Sequence, residues 1–84
     1  MVTVYILQSL IDHGYYIGIT KDIDKRLIKH NKGGVSSTRR RKPFLLVYTQ
    51  RFTDYNQARQ REKELKSYKG GIQFKELLKH WEVV

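Results

Sequence analysis

The stretch from Gly14 to Asn31, GYYIGITKDIDKRLIKHN, limits the fold most, because it changes period with no linker in between. Tyr15, Ile17 and Ile19 alternate with Tyr16, Gly18 and Thr20, the two-residue repeat of a strand. From Ile23 onward the repeat is helical, and either Thr20 or Asp22 is placed to cap the first turn. On a helical wheel Ile23, Leu27, Arg26 and His30 share an arc about 100° wide, the usual width of an apolar face. A guanidinium and an imidazole therefore occupy the side that should pack inward. Gly18 lacks a side chain just upstream, where another backbone or a ligand would come close. A face built only for burial has no use for such residues.

The flanking segments read in the same way. Val2 to Gln8 alternates as a first strand, with Val4 and Ile6 on one side and Thr3, Tyr5 and Leu7 on the other. Asp12-His13-Gly14 marks a turn that brings the second strand back antiparallel. Gly33-Gly34 ends the first helix, VSSTRRRKP follows as a loop, and Leu45 to Arg51 forms a third strand. Thr53, followed by Asp54, opens a second helix that runs to about Tyr68. Its apolar stripe is Tyr55, Ala58 and Leu65, with Glu62 in the middle. Gly70-Gly71 breaks that helix. Phe74, Leu77, Leu78 and Trp81 then keep the spacing of an amphipathic third helix, which Trp81 should anchor, with Lys75, Lys79 and His80 outside. The order is β-β-α-β-α-α.

Length and charge narrow the function. A chain of 84 residues suits one domain, here taken as 1–84, with a modest core. Seventeen Lys and Arg face eight Asp and Glu, for a net charge of +9, which favours a polyanionic partner. Nucleic acid stands ahead of acidic membrane or acidic protein. With no cysteine, disulfide frameworks and thiolate metal sites are excluded. No apolar run approaches the roughly 20 residues that span a bilayer. The first residues lack the basic flank of a signal peptide, so the expected location is intracellular and cytoplasmic.

Three ionisable residues, Arg26, His30 and Glu62, fall on faces that periodicity assigns to the interior. Burying a charge is unfavourable unless it is paired. The structural alternative is an ion pair of Glu62 with Arg26 or with an outer lysine. Tyr5 and Tyr16 can lie side by side on the paired strands, so the five residues are expected to converge on one face. Phosphodiester cleavage uses such groups. A carboxylate holds Mg²⁺, which takes one or two protein carboxylates and keeps several waters. A guanidinium matches two phosphate oxygens, and an imidazole or phenolate takes a proton from water.

Taken together these positions resemble the GIY-YIG nuclease superfamily, in its small single-domain branch, over Val4 to about Trp81. The first motif is matched by Val4-Tyr5-Ile6, which keeps the tyrosine but replaces the glycine and isoleucine, as small members often do. Tyr16-Ile17-Gly18 matches the second motif eleven residues later. Arg26 matches the helix arginine, His30 the position one turn on, and Glu62, in ARQREKELK, the metal-binding glutamate. TRRRKPFLLVY is similar to the segment before the third strand. The resemblance implies an α/β (α+β) fold, a three-stranded antiparallel sheet flanked by helices. It also implies one-metal hydrolysis of DNA, with Glu62 on a single Mg²⁺ or Mn²⁺ and Arg26 on the phosphate. Tyr5, Tyr16 and His30 would position and activate the water.

Arg39, Arg40, Arg41 and Lys42 form a run expected to track phosphates, extended by Lys21, Lys25, Lys63 and Lys66. No sequence-reading helix or base-stacking platform accompanies them, so base specificity is expected to be weak. The functional expectation is a metal-dependent DNA endonuclease of low sequence specificity, structure-selective and serving repair or recombination. RNA stays open as a substrate. The alternatives are a non-catalytic nucleic-acid-binding module and a subunit that needs a protein partner.

Overall fold

Val2–Ser9 forms strand β1, the centre of a three-stranded antiparallel sheet whose other members are β2 (Tyr15–Thr20) and β3 (Phe44–Phe52), in the order β2-β1-β3. Helix α1 (Ile23–Asn31) follows β2, a short 3₁₀ turn (Arg39–Arg41) precedes β3, and helices α2 (Tyr55–Tyr68) and α3 (Ile72–Glu82) complete the chain. The computed structural model describes residues 1–68 and 71–82, and the side chains of residues 80–82 lie outside that description. Trp81, expected to anchor α3, is therefore outside the described side chains, as are His80 and, in the break before α3, Gly70. Among the described residues no helix is long and apolar enough to cross a membrane.

Strand β1 is buried on both faces, which follows from its composition: Val4 and Ile6 alternate with Tyr5 and Leu7, and all four are at most 1% exposed. Val2, Val4 and Ile6 pack with Ile17, Val47 and Tyr48 beneath Ala58 and Leu65 of α2 and Phe74 and Leu78 of α3. Tyr5 and Leu7 pack with Phe44, Tyr16 and Leu46 beneath Ile23 and Leu27 of α1. The molecule is thus three layers, α1, the sheet, and α2 with α3. On β3, adjacent residues Val47 and Tyr48 both face the α2–α3 layer. The register explains this: pairing shifts between Ile6 and Leu7, which face Tyr48 and Leu46, so Val47 is the extra residue of a bulge.

The helix boundaries have local causes. Asp22 caps α1, its Oδ1 accepting from Lys25 N at 3.1 Å, while Thr20 Oγ1 braces the Asp22 backbone. At the other end Gly33, at φ +78°, donates to His30 O, and Gly34 donates to Lys29 O. That pair of bonds is the Schellman closure, in which glycine supplies the left-handed step. Asp54, rather than Thr53, caps α2 by accepting from Asn56 N. Tyr55, placed by its spacing on the inner stripe of α2, is 54% exposed, because this first residue of the helix lies beyond the reach of the sheet. The loop before β3 closes into the 3₁₀ turn, and its start and end are tied to α1 and to the β1–β2 turn.

Ser9 makes the second tie. Its hydroxyl donates to Arg41 O at 2.5 Å and accepts from the amides of Ile11 and Asp12. The Arg41 guanidinium in turn pairs with Asp12 at 2.8 Å. The ion pair is largely exposed and screened by solvent, so it contributes little, whereas the Ser9 hydroxyl is wholly buried. Ser9→Ala leaves a carbonyl and two amides without that partner and should destabilise the fold by about 1–3 kcal/mol. Asp12→Asn should change stability by less than half as much. Urea unfolding of the two variants checks the order, and equal losses would show that the ion pair holds the turn as firmly as the hydroxyl does.

Candidate active site

Register builds the first part of the site. Tyr5 pairs directly with Gly18, and Leu7 with Tyr16, so both phenols project from the α1 side of the sheet on neighbouring strands. Their ring centroids are 6.2 Å apart. The reason for glycine at position 18 is visible here. A Cβ at that position would lie 2.6 Å from the Tyr5 hydroxyl oxygen and 2.7 Å from Cζ, so the Tyr5 ring occupies the space a side chain would take. The close neighbour anticipated at Gly18 is therefore this phenol, not a second backbone.

His30 closes the pocket from α1. It is fully buried, with Nε2 at 3.2 Å from the Tyr5 hydroxyl and Nδ1 at 2.8 Å from Thr38 Oγ1. Its ring lies edge-on to Tyr16 at 4.9 Å and to Phe44 at 5.8 Å. Burial, with Arg26 and Lys29 nearby, lowers its pKa, so the imidazole is neutral at neutral pH. Burial chiefly, and then the Tyr16 phenol, raises the pKa of Tyr5. Ordinary values of about 10 and 6.5 already place a proton moved from phenol to imidazole about 5 kcal/mol uphill, and both shifts widen that gap. At rest the pair is neutral on both sides.

Arg26 and Glu62 enter as charges. The Tyr5 phenol feels the positive charge of Arg26, which lowers its pKa, and the negative charge of Glu62, which raises it. Arg26 is carried by α1 and Glu62 by α2, helices that pack on opposite faces of the sheet. Arg26 is half-buried, and its guanidinium makes no hydrogen bond or ion pair with a described residue. Glu62 is half-buried too, and its carboxylate pairs with Lys66 one turn on at 3.4 Å. Among the described residues no cluster of three or more His, Cys, Asp or Glu could hold a metal. A single half-exposed carboxylate, with solvent and substrate oxygens for the other positions, is the donor set that Mg²⁺ ordinarily accepts. The residues present fit that ion.

Comparison with known proteins shows the family. The profile described as the GIY-YIG catalytic domain matches residues 1–73. The chain belongs to the GIY-YIG family. A UPF0213 protein of Staphylococcus saprophyticus is 42% identical over 66 residues, covering 77% of this chain and 79% of its own. One from Natronomonas pharaonis is 43% identical over 65 residues, covering 76% and 75%. The solution NMR structure of a UPF0213 protein from Bacillus halodurans aligns at TM-score 0.54 and 40% identity, covering 93% of this chain and 82% of that one.

Within this GIY-YIG fold the basic residues divide. Arg41 is turned onto Asp12 and lies over the Phe44 ring, and Arg39 Nε donates to Gly33 O at 2.9 Å. Arg40 and Lys42 are exposed, as are Lys21, Lys25, Lys63 and Lys66. Lys21, Lys25, Lys29 and Arg26 line one groove along α1; Glu62, Lys63 and Lys66 line another on α2. Arg61, Thr38 and Asn31 were not singled out from the sequence as site residues. Arg61 bonds Gln50, Tyr48 and Glu64, fixing α2 to β3 one residue before Glu62. Asn31 clamps the backbone of Phe44, accepting from its N at 2.7 Å and donating to its O.

Two outcomes follow from this packing. Gly18→Ala forces the Tyr5 ring aside and should destabilise the fold by about 1–3 kcal/mol, the range for overpacking a core; unchanged urea stability would show that Tyr5 yields freely. The second concerns pH. Because His30 has a lowered pKa in the fold, the unfolded chain takes up its proton first, near pH 6.5. The stability it confers is complete above that pH and is lost as pH falls from there through the folded pKa, by at most about 1.4 kcal/mol per unit. Asp12, also lowered, acts only below its ordinary value of 3.8, a separate window. Urea titrations at pH 7.5 and 5.5 should therefore differ in the parent and differ less in His30→Gln.

Proposed function

We propose that this protein is a metal-dependent DNA endonuclease that hydrolyses phosphodiester bonds with low sequence specificity, selecting substrates by structure in repair or recombination. The observation that carries the reading is the buried Tyr5 phenol, hydrogen-bonded to a neutral imidazole and lying in the fields of one uncommitted guanidinium and one carboxylate. Those four groups are what hydrolysis of a phosphodiester needs, and membership of the GIY-YIG family supports assigning them that task.

In this reading Arg26 binds two oxygens of the scissile phosphate, a geometry its planar fork favours. Glu62 would hold one Mg²⁺ or Mn²⁺, which when bound neutralises phosphate charge, and Lys66 gives up its pairing. Tyr16, half-exposed beside Tyr5, orients the attacking water. Tyr5 takes a proton from that water as its own passes to His30. Lys21, Lys25, Lys63, Arg40 and Lys42 follow the phosphate backbone, with Arg39 and Arg41 acting mainly through the fold. Residues 1–84 form one domain, working in the cytoplasm; RNA cleavage and a targeting partner protein are compatible with the same site.

The test is an assay of purified protein on branched, nicked, single-stranded and duplex DNA, with Mg²⁺ and with chelator. Glu62→Gln should abolish cleavage while DNA affinity stays level or rises. Arg26→Ala should lower the rate by about 10²–10³, the effect of removing one donor to transition-state charge. Parental rates in Glu62→Gln would sink the one-metal reading. DNA binding by the parent with no cleavage of any substrate would leave a binding module.

A further inference from the structure

Thr38 begins the 3₁₀ turn, yet its hydroxyl makes no capping bond there, which is the usual task of threonine at such a position. It is fully buried and faces His30 Nδ1 at 2.8 Å. The backbone holds it in place, with Thr38 N donating to Val35 O at 3.1 Å and Arg41 N donating to Thr38 O at 2.9 Å. The hydroxyl has a second contact, 3.3 Å to Val35 O, a carbonyl that can only accept. A hydroxyl carries one proton and two lone pairs. With the proton on Val35, the lone pairs face Nδ1, and the imidazole must carry its hydrogen there.

From this geometry we infer that Thr38 is a positioning residue: it holds His30 as the Nδ1–H tautomer and so sets the direction in which Tyr5 shares its proton. A neutral imidazole has one N–H, so Nε2 is left bare and accepts from the Tyr5 hydroxyl. The phenol oxygen then keeps its lone pairs free to accept on the side away from His30, where Tyr16 lies. In the other tautomer Nε2–H would donate to Tyr5, and the phenol would present a proton to an incoming water instead of accepting one. When Tyr5 takes a proton from water, its own O–H bond breaks and that proton bonds to Nε2, giving an imidazolium and hydroxide at the attacking position. Thr38 accepts from Nδ1–H before and after, so nothing has to rotate during the transfer. The catalytic consequence rests on the nuclease reading; the tautomer does not.

The experiment is a long-range ¹⁵N–¹H correlation spectrum of the uniformly labelled protein at pH 7.5. His30 is assigned by the loss of its signals in His30→Gln. The parent should show a protonated Nδ1 and a bare Nε2. In Thr38→Val, which keeps the shape but removes the acceptor, the two nitrogen signals should exchange character, and in Thr38→Ser they should stay as in the parent. A bare Nδ1 in the parent, or an unchanged tautomer in a folded Thr38→Val, overturns the inference. In the cleavage assay kcat of Thr38→Val should fall toward the roughly 10²–10⁴-fold that general acid–base help supplies, with KM for DNA unchanged and Thr38→Ser near parental. A loss in KM alone would overturn the catalytic consequence. A parent that cuts no DNA would remove the nuclease reading and leave the tautomer result standing.

Discussion

Covering β1 on both faces is the constraint that organises this fold. A central strand beneath helices on either side has no solvent to satisfy its polar side chains. Tyr5 is nevertheless set in its middle, 1% exposed. A buried hydroxyl without a partner is costly, so a second group has to reach it from α1. His30 does so, and it needs a partner in turn, which Thr38 provides. The chain of three polar groups crosses an apolar layer with no buried side-chain atom left unbonded among the described residues. Loops with no common sequence signature are thereby tied to one strand position. The Schellman closure at Gly33, the Asn31 clamp on Phe44 and the 3₁₀ turn all hold His30 and Thr38 at fixed separation.

What the sequence revealed, it revealed through conflict between period and polarity. Arg26 and His30 stood out because a 3.6-residue repeat put them beside Ile23 and Leu27, which pack on the Tyr5 layer, and His30 reaches Tyr5 itself. Glu62 was visible by the same test between Ala58 and Leu65, both of which are buried. Thr38, Ser9 and Asn31 were invisible, since short polar residues in loops are what any loop contains, and their partners lie 8 to 32 residues away. The bulge at Val47 was equally hidden, as an apolar run has no alternation to interrupt. Tyr55 misled because periodicity gives a direction on the helix but not how far the sheet extends beneath it.

Charge composition needs the same care. A net charge of +9 counts every guanidinium as a hand for phosphate. Arg39, Arg41 and Arg61 are instead engaged with a carbonyl, a carboxylate, and a cluster of phenol, amide and carboxylate. Their planar forks suit fixed, directional partners, whereas lysine keeps a hydrated amine in solvent. The exposed amines of Lys21, Lys25 and Lys63 are therefore better placed for a mobile polyanion than most of the arginine run. Arg26 stands apart as a half-buried guanidinium with no acceptor among the described residues, an arrangement that desolvation disfavours unless an anion arrives.

The position of Tyr5 between charges of opposite sign has a further physical consequence. Arg26 stabilises a phenolate at that position and Glu62 opposes it. With the carboxylate bare, burial and the neighbouring Tyr16 outweigh Arg26 and hold the phenol protonated. Any cation that neutralises Glu62 removes the opposing field while leaving that of Arg26. The uphill transfer from Tyr5 to His30 becomes less steep without either group moving. Lys66, one turn from Glu62 and itself largely exposed, neutralises it only weakly. Because Glu62 is carried by a different layer from Tyr5, a charge held by α2 alters the acidity of a phenol buried under α1 through the field alone, with the hydrogen-bonded chain intact.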